Sequence, residues 1–347
     1  MTLLLVLVFV VSLITMWQDK PNFTVSKNIS VFGIITLSIA LALLASIRPD
    51  NMPDYKAYLR IYGTPQSPIN ERIELGFIWF ILCVKHFIAD DFIIFLFCAA
   101  FISIFIKLLA IRQLSSLFYT SLFIYIASKF ISNDLIQMRV AFSTGLLLLA
   151  VYYKFNNNLL RFLIAATIAF FFHYSAILVY FIWFISTKKI NKVIWISMVL
   201  VSYIIALTGF SVTYLISYIP VEGLQNLYIH YSEIVEQTGA NLLSILFISK
   251  IFICIYFLFK WDKYAKESPY FVVVVKLFAI SLIAYCLLFS INAVAVRIAE
   301  LFQIVEIILI PFLYYITEQR IIGKLLITII GLIYFIFYVN FSGWFPN

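Results

Sequence analysis

The feature that most limits what this chain can fold into is a series of long, uninterrupted apolar runs along its whole length. Of its 347 residues, 64% are hydrophobic and only 12% are charged, which is more apolar surface than a soluble core can bury. Each run is long enough to cross a hydrocarbon layer of about 30 Å as a helix. The runs lack the alternation that a transmembrane barrel requires. The pattern therefore predicts an all-α, polytopic transmembrane helix bundle.

We predict about 12 spans, within a range of about 11–14, in a single transmembrane domain over 1–347. The predicted spans are 2–17, 29–47, 74–89, 92–110, 116–132, 136–153, 160–186, 193–210, 242–260, 271–290, 297–316 and 325–341. The two long connections, 48–73 and 211–241, are predicted outer-face loops. The second has the amphipathic pattern of helices lying at a membrane surface, although an ordinary ordered loop explains it equally well.

Basic residues predict the orientation, because cytoplasmic loops collect Lys and Arg. The loops 187–192, 260–268 and 317–324 are basic, whereas 211–241 has no Lys or Arg and is predicted to face outward. Counting single crossings from the N terminus, however, places Lys154 and Arg161 outside. A re-entrant hairpin at 160–186, broken near His173, removes this conflict if 74–132 holds one further half-span.

The composition also excludes several partners and cofactors. The net charge of +8 comes mostly from residues at span ends, so it indicates topology and not nucleic-acid binding. No Walker A loop, HExxH motif or Rossmann glycine pattern is present, and the four cysteines lie apart in apolar runs. We therefore expect no nucleic-acid partner, no metal and no cofactor.

Ionisable groups in membrane helices are costly and mark candidate sites. The first cluster lies in the outer segment and contains Arg48, Asp54, Tyr55, Tyr58 and Glu74. A carboxylate beside two aromatic rings suits a sugar, because it accepts hydroxyl hydrogen bonds while a ring covers the apolar face. The alternative is a solvated loop in which Asp54 caps a helix.

The second cluster runs from Asn133 to Arg139. Lys129, Asn133 and Gln137 are spaced to share one face of an α-helix. Arg139 begins a span, where its planar guanidinium could hold a phosphate. A basic side chain that reaches from a helix end to the membrane surface would look the same.

The third cluster is Arg297, Glu300, Gln303 and Glu306, at successive steps of three in one predicted span, where Arg297 and Glu300 can pair. This spacing favours a functional or inter-helix role. His173 lies in the middle of an apolar run, either as a hydrogen-bonded structural residue or as a proton carrier.

The order of these motifs resembles the EpsG-type family of bacterial polysaccharide polymerases, of the Wzy class. The resemblance rests on Arg48, Asp54-Tyr55, Tyr58, Glu74-Leu-Gly-Phe77, Gln137-Met-Arg139, His173-Tyr-Ser-Ala176 and Arg297. The chain departs from the family pattern at Gln137-Met-Arg139, where we expect Arg followed by Gln. The resemblance implies a GT-C-like bundle in the bacterial cytoplasmic membrane, with its active site facing outside.

The resemblance also implies a reaction. Oligosaccharide repeat units linked to undecaprenyl diphosphate would be joined at the outer face, with undecaprenyl diphosphate as the leaving group. The implied products are O-antigen, capsule or exopolysaccharide. The implied partners are undecaprenyl-diphosphate-linked glycans and membrane lipid, together with a chain-length regulator and a flippase.

The implied roles fall into two groups. The predicted catalytic residues are Arg139 and Arg297, which hold the diphosphate, and His173 or Glu74, which accepts the proton of the acceptor hydroxyl. The predicted substrate-binding residues are Arg48 beside the diphosphate, Asp54, Tyr55 and Tyr58 around sugar, Gln137, and Glu300, which orients Arg297.

Two other classes of protein remain open on the sequence alone. A flippase for lipid-linked oligosaccharide would also need basic groups in a cavity, but such carriers usually show paired halves, and the sequence shows none. A membrane O-acyltransferase could use His173 as base, but it would have little use for two arginines within the membrane.

Overall fold

The computed structural model describes residues 2–22, 28–65, 73–211 and 241–342, and within these ranges the chain is helical with no strand. This confirms the all-α fold. The predicted outer-face loop 211–241 lies outside the described residues except at its two ends, and so do residues 66–72 of the loop 48–73. The chain divides into two compact units, 1–184 with 306–347 and 185–305. The expectation of one domain over 1–347 stays a prediction.

The first unit contains ten α-helices, one π-helix and two 3₁₀-helices in its described part. The α-helices are α1 Thr2–Gln18, α2 Val31–Ser46, α3 Tyr55–Gly63, α4 Leu75–Phe87, α5 Phe92–Leu114, α6 Phe118–Ala127, α7 Met138–Phe155, α8 Leu159–Phe172, and, late in the chain, Glu306–Leu309 and Arg320–Phe341. The π-helix is Phe130–Ile136, and the 3₁₀-helices are Tyr174–Phe184 and Ile310–Tyr315. At its centre α5 packs against α2 and α7, and α7 packs against α8.

The second unit contains five α-helices in its described part: α9 Lys192–Leu207, α10 Ile245–Phe259, α11 Trp261–Tyr264, α12 Phe271–Leu287 and α13 Asn292–Gln303. Helix α12 packs against α9, α10 and α13. In chain order, Glu306–Leu309 is α14 and Arg320–Phe341 is α15.

Several helices begin where the sequence supplies a side-chain cap for their free backbone N–H groups. The Asp91 carboxylate accepts from the N–H groups of Ile93 and Ile94 at 2.8 and 3.0 Å. The Asn158 side chain does the same for Arg161 at 3.0 Å, at the start of α8. Short polar residues between apolar runs therefore fix where these helices start.

Three helices are long and apolar enough to cross a membrane, namely those that begin at Phe92, Met138 and Arg320. Nine further apolar helices in the described part have 10–17 residues. Large apolar side chains such as Leu3, Phe184 and Ile245 are more than four-fifths exposed, which is typical of a lipid-facing surface. The chain is a polytopic membrane protein.

The structure corrects three details of the predicted spans. The span 116–132 is not one α-helix, because α6 ends at Ala127 and a π-helix comes after it. Lys129, Asn133 and Gln137 consequently do not form an α-helical stripe. The span 297–316 is also divided, since α13 ends at Gln303 and Glu306 starts a separate helix in the first unit, where its buried carboxylate lies 4.0 Å from Lys129.

The predicted break at His173 is confirmed. Helix α8 ends at Phe172, His173 has extended backbone angles, and the 3₁₀-helix after it returns alongside α8. The hydroxyls of Thr167 and Tyr180 lie 2.7 Å apart, and the ring centroids of Phe162 and Trp183 lie 5.0 Å apart. The two legs are therefore antiparallel. Each leg is about 21–22 Å long, shorter than a hydrocarbon core of about 30 Å.

Candidate active site

One carboxylate joins three separate elements at the tip of this hairpin. Glu74 lies just before α4, Arg139 in the first turn of α7, and His173 at the hairpin break. Arg139 Nη1 donates to Glu74 Oε2 at 2.6 Å, and His173 Nδ1 lies 3.1 Å from Glu74 Oε1. The Glu74 and His173 side chains are buried, whereas that of Arg139 is 27% exposed. The structure thus brings together three of the four predicted catalytic residues.

Gly76 permits this close approach. A Cβ built on Gly76 would lie 2.7 Å from the backbone oxygen of Phe171 and 2.9 Å from its carbonyl carbon, which is closer than real Cβ atoms come. The start of α4 therefore packs directly on the backbone of the last turn of α8, two residues before His173. The glycine in Glu74-Leu-Gly76 thereby allows Glu74 to reach the histidine.

A layer of aromatic rings supports the three residues. Phe80 on α4, Phe142 on α7 and Phe172 on α8 pack on one another, with ring centroids 4.3 to 6.2 Å apart. The Ser143 hydroxyl also donates to the backbone oxygen of Ala169 at 2.8 Å and so joins α7 to α8. The site is therefore built on packed helices and not on a loose loop, as precise placement requires.

Several polar atoms at the site are buried and have no hydrogen-bond partner among the described residues. They include His173 Nε2, Arg139 Nε and Gln137 Oε1. Buried polar atoms are normally paired, so such atoms require an explanation, of which a ligand is one. Since the Glu74 carboxylate can only accept, the hydrogen of this contact lies on His173 Nδ1, and Nε2 is the ring nitrogen left to contact a ligand.

The predicted sugar-binding residues Asp54, Tyr55 and Tyr58 differ in how deeply they are buried. Tyr58 is buried, and its hydroxyl lies within hydrogen-bonding reach of the Arg139 guanidinium. Tyr55 is partly buried against Phe92, with ring centroids 5.4 Å apart. Asp54 is exposed at the N-cap position of α3, in the left-handed region with φ 63°, and its side chain makes no capping hydrogen bond.

The far end of α3 is fixed by a polar contact of its own. The Tyr62 hydroxyl donates to Asp90 Oδ1 at 2.9 Å, and this hydrogen bond lowers the pKa of the Asp90 carboxyl. Lys85 completes the contact 3.2 Å from the same oxygen. Helix α3 is thus held over α4 and the start of α5.

Arg48 is placed differently from the other predicted substrate-binding residues. It is buried, and its Nη1 donates to the backbone oxygens of Asp134 (3.5 Å) and Leu135. Its Nη2 donates to Met138 Sδ at 3.2 Å. The guanidinium therefore contacts the end of the π-helix.

Asp134, within the second predicted cluster, forms a buried ion pair with Lys107, which was not among the predicted site residues. Lys107 Nζ donates to Asp134 Oδ1 at 2.7 Å, and both side chains are 0% exposed. Ser103 donates to the same oxygen at 2.5 Å, and Tyr125 donates to Oδ2 at 2.7 Å. The signal was present in the sequence, since Lys107 is preceded by 15 uncharged residues of an apolar helix, where a charged group needs a partner.

The third predicted cluster lies in the second unit, apart from Glu306. Arg297 is exposed on α13, and none of the salt bridges in the described ranges involves it. Glu300 is partly buried one turn later. Gln303 is buried and accepts from Lys250 Nζ at 2.8 Å. Their predicted roles stay predictions.

Fold and site together define a class, a polytopic helical membrane protein with an Arg–Glu–His cluster where α4, α7 and α8 meet. The model of the EpsG family matches residues 31–346, nearly the whole chain. The chain therefore belongs to the EpsG family of polysaccharide polymerases, as the order of its motifs predicted. No curated protein and no solved structure matches it.

Proposed function

We propose that this polymerase joins oligosaccharide repeat units carried on undecaprenyl diphosphate, at the outer face of the bacterial cytoplasmic membrane. The observation that supports this most directly is the Glu74 carboxylate, which contacts a cation and a proton acceptor at once. The reaction requires that a hydroxyl lose its proton and that a diphosphate leave with the bonding electrons. His173 can accept the proton, and Arg139 can stabilise the charge on the diphosphate.

In the proposed reaction, an acceptor hydroxyl of one repeat unit approaches His173 Nε2. Its oxygen bonds to the anomeric carbon of the growing chain while its proton passes to Nε2. The bond between that carbon and the diphosphate oxygen breaks, and the electron pair stays on undecaprenyl diphosphate. Glu74 keeps the Nδ1–H of His173 in place and stabilises the cation that forms. Glu74 is therefore an orienting group, and His173 is the base.

Arg139 stabilises the charge that develops on the departing diphosphate. Its side chain is part-exposed, and its buried Nε has no hydrogen-bond partner in the described ranges, so the guanidinium has donors beyond the one given to Glu74. Gln137 and Tyr58 lie beside it and are the nearest candidates for contacts to sugar. Asp54 and Tyr55 extend this surface outward.

The outer-face assignment rests on charge. Lysine-rich 187–192 and 260–268 mark the cytoplasmic side. If the hairpin 159–184 enters from that side and returns to it, Lys154 and Arg161 lie inside, in agreement with the rule. The start of α7 then lies toward the outer side, together with Arg139.

The test uses purified protein in vesicles of known orientation, with a synthetic lipid-diphosphate-linked repeat unit added on the outer side. We expect a polymer ladder from the wild type, and a rate lower by on the order of 10²–10³ for Arg139→Ala and for His173→Gln. Arg139→Lys keeps the charge but loses the planar fork, so it should restore little. Arg161→Ala and His86→Gln, both exposed and away from the site, are the matched controls.

Wild-type rates in both Arg139→Ala and His173→Gln, at normal yield, would refute the proposed mechanism. A protected lipid without polymer would instead identify a flippase, and an acylated sugar an acyltransferase.

A further inference from the structure

The π-helix Phe130–Ile136 stands directly before the site. The backbone N–H of Gln137 donates to the oxygen of Ser132, five residues earlier, at 3.2 Å. Such wide turns are rare and occur frequently at functional sites. Since Arg139 comes only three residues after the end of this segment, the conformation of the π-helix sets the direction in which the Arg139 side chain leaves the backbone.

Side-chain contacts hold the π-helix on one side. The carboxylate of Asp134 receives Lys107, Ser103 and Tyr125, at 2.5 to 2.7 Å. Lys107 and Ser103 belong to α5, and Tyr125 belongs to α6. The carboxylate is thus fixed to two neighbouring helices within the buried core.

Arg48 holds the same segment through its backbone. Its Nη1 donates to the backbone oxygens of Asp134 and Leu135, which an ordinary α-helix would use for its own hydrogen bonds. Its Nη2 reaches Met138, at the first position of α7. Arg48 therefore ties the end of the π-helix to the start of the helix that carries Arg139.

We infer that Asp134, Lys107 and Arg48 are positioning residues that keep Phe130–Ile136 in the π conformation and so direct Arg139 toward Glu74. The inference rests on the proposed function, in which Arg139 acts on the diphosphate. A π-helical turn contains about one residue more than an α-helical turn. If Phe130–Ile136 became α-helical, the first turn of α7 would therefore rotate by roughly 100° about the helix axis. Arg139 would then point away from Glu74. Arg48 acts through Arg139 and not on the substrate.

The decisive variant removes both charges at once, as Lys107→Leu with Asp134→Leu. Replacing a buried ion pair by apolar residues of similar size often leaves stability unchanged or higher, so the variant is expected to fold. Its polymerisation rate is expected to fall by on the order of 10², because Arg139 is displaced. Combined with Arg139→Ala, the double substitution should cause no further loss, as for residues acting through one group.

Asp19→Asn is the matched control, because Asp19 is a buried carboxylate that accepts from Thr120 at the start of α6 and does not touch the π-helix. It should keep wild-type activity. If Lys107→Leu with Asp134→Leu also kept wild-type activity, the pair would be a stability element only, and the inference would be overturned.

A second measurement reports geometry without any enzymatic step. Cysteines introduced as Glu74→Cys and Arg139→Cys, with the four native cysteines replaced by alanine, are joined by a short bis-methanethiosulfonate reagent. Adding Lys107→Leu and Asp134→Leu should slow cross-linking several-fold, and Asp19→Asn should not. Unchanged cross-linking overturns the positioning inference whatever the enzyme makes. If cross-linking becomes slower but the wild-type protein makes no polymer, the positioning inference is supported and the proposed function is refuted.

Discussion

One ion pair includes Asp134 of the π-helix and another includes Arg139 of the helix after it, and the two pairs differ in how many of their polar atoms have hydrogen-bond partners. Lys107 and Asp134 are 0% exposed, and both carboxylate oxygens of Asp134 receive donors. Arg139 and Glu74 are 27% and 5% exposed, and unpartnered polar atoms surround them in the described part of the chain. Both Asp134 oxygens already accept hydrogen bonds, whereas Arg139 Nε and His173 Nε2 have no partner in the described ranges and can contact a ligand. The difference separates a structural pair from a candidate catalytic one.

The largest expected effect on stability comes from a substitution that breaks the Lys107–Asp134 pair. Asp134→Leu alone leaves the Lys107 charge buried without its partner, which should destabilise the protein by about 3–5 kcal/mol. Glu74→Gln leaves behind an arginine that is still 27% exposed, so it should lower stability less than Asp134→Leu does while reducing activity. Thermal unfolding in detergent, measured beside polymerisation, checks both. Equal loss of stability in the two variants would remove the distinction between the pairs.

A smaller effect is expected at the glycine that allows the incomplete pair to form. Gly76→Ala places a Cβ against the backbone of Phe171, so α4 must shift, at a cost of about 1–3 kcal/mol. The shift moves Glu74 away from His173, and activity should fall more than stability does. Gly63→Ala is the matched control, since a Cβ there meets nothing within 4 Å. Equal activities in the two variants would show that the close approach is unnecessary.

The smallest effect concerns the support beneath the site. Ser143→Ala removes the hydrogen bond from α7 to the backbone oxygen of Ala169 and should cost about 1 kcal/mol. The aromatic packing around Phe142 remains, so the rate should change by less than about tenfold. Ser281→Ala, which removes a buried hydroxyl that donates to the backbone oxygen of Phe278 in its own helix, is the control. A larger loss for Ser143→Ala would make this contact part of the active-site geometry.

The sequence predicted the features that depend on local pattern. The apolar runs predicted the helices and the membrane location, and the motif order predicted the family. The positions of Lys154 and Arg161 predicted the hairpin, because single crossings would have placed both outside. Glu74, Arg139 and His173 were each named, but their meeting depends on contacts between residues up to 99 positions apart. No local pattern specifies such contacts.

The features that the sequence did not predict also depend on contacts between residues distant in the sequence. The π-helix Phe130–Ile136 requires hydrogen bonds that span one residue more than those of an α-helix. The residues that contact it, Arg48 in the connection after α2 and Lys107 on α5, are distant in the sequence. Glu306 likewise lies 4.0 Å from Lys129, which is distant in the sequence, and α13 ends before it, at Gln303. Helical spacing alone predicted continuous helices at both places.

The two-sided use of Glu74 has a consequence for how such an enzyme can change during evolution. In the proposed mechanism one carboxylate serves the cation and the base together, so no single substitution at this position alters one without the other. The two functions are inherited as a unit, and adaptation to a new sugar is expected at neighbours such as Gln137 and Tyr55. Strong epistasis between positions 74, 139 and 173, together with freer variation around them, is the pattern that this arrangement imposes.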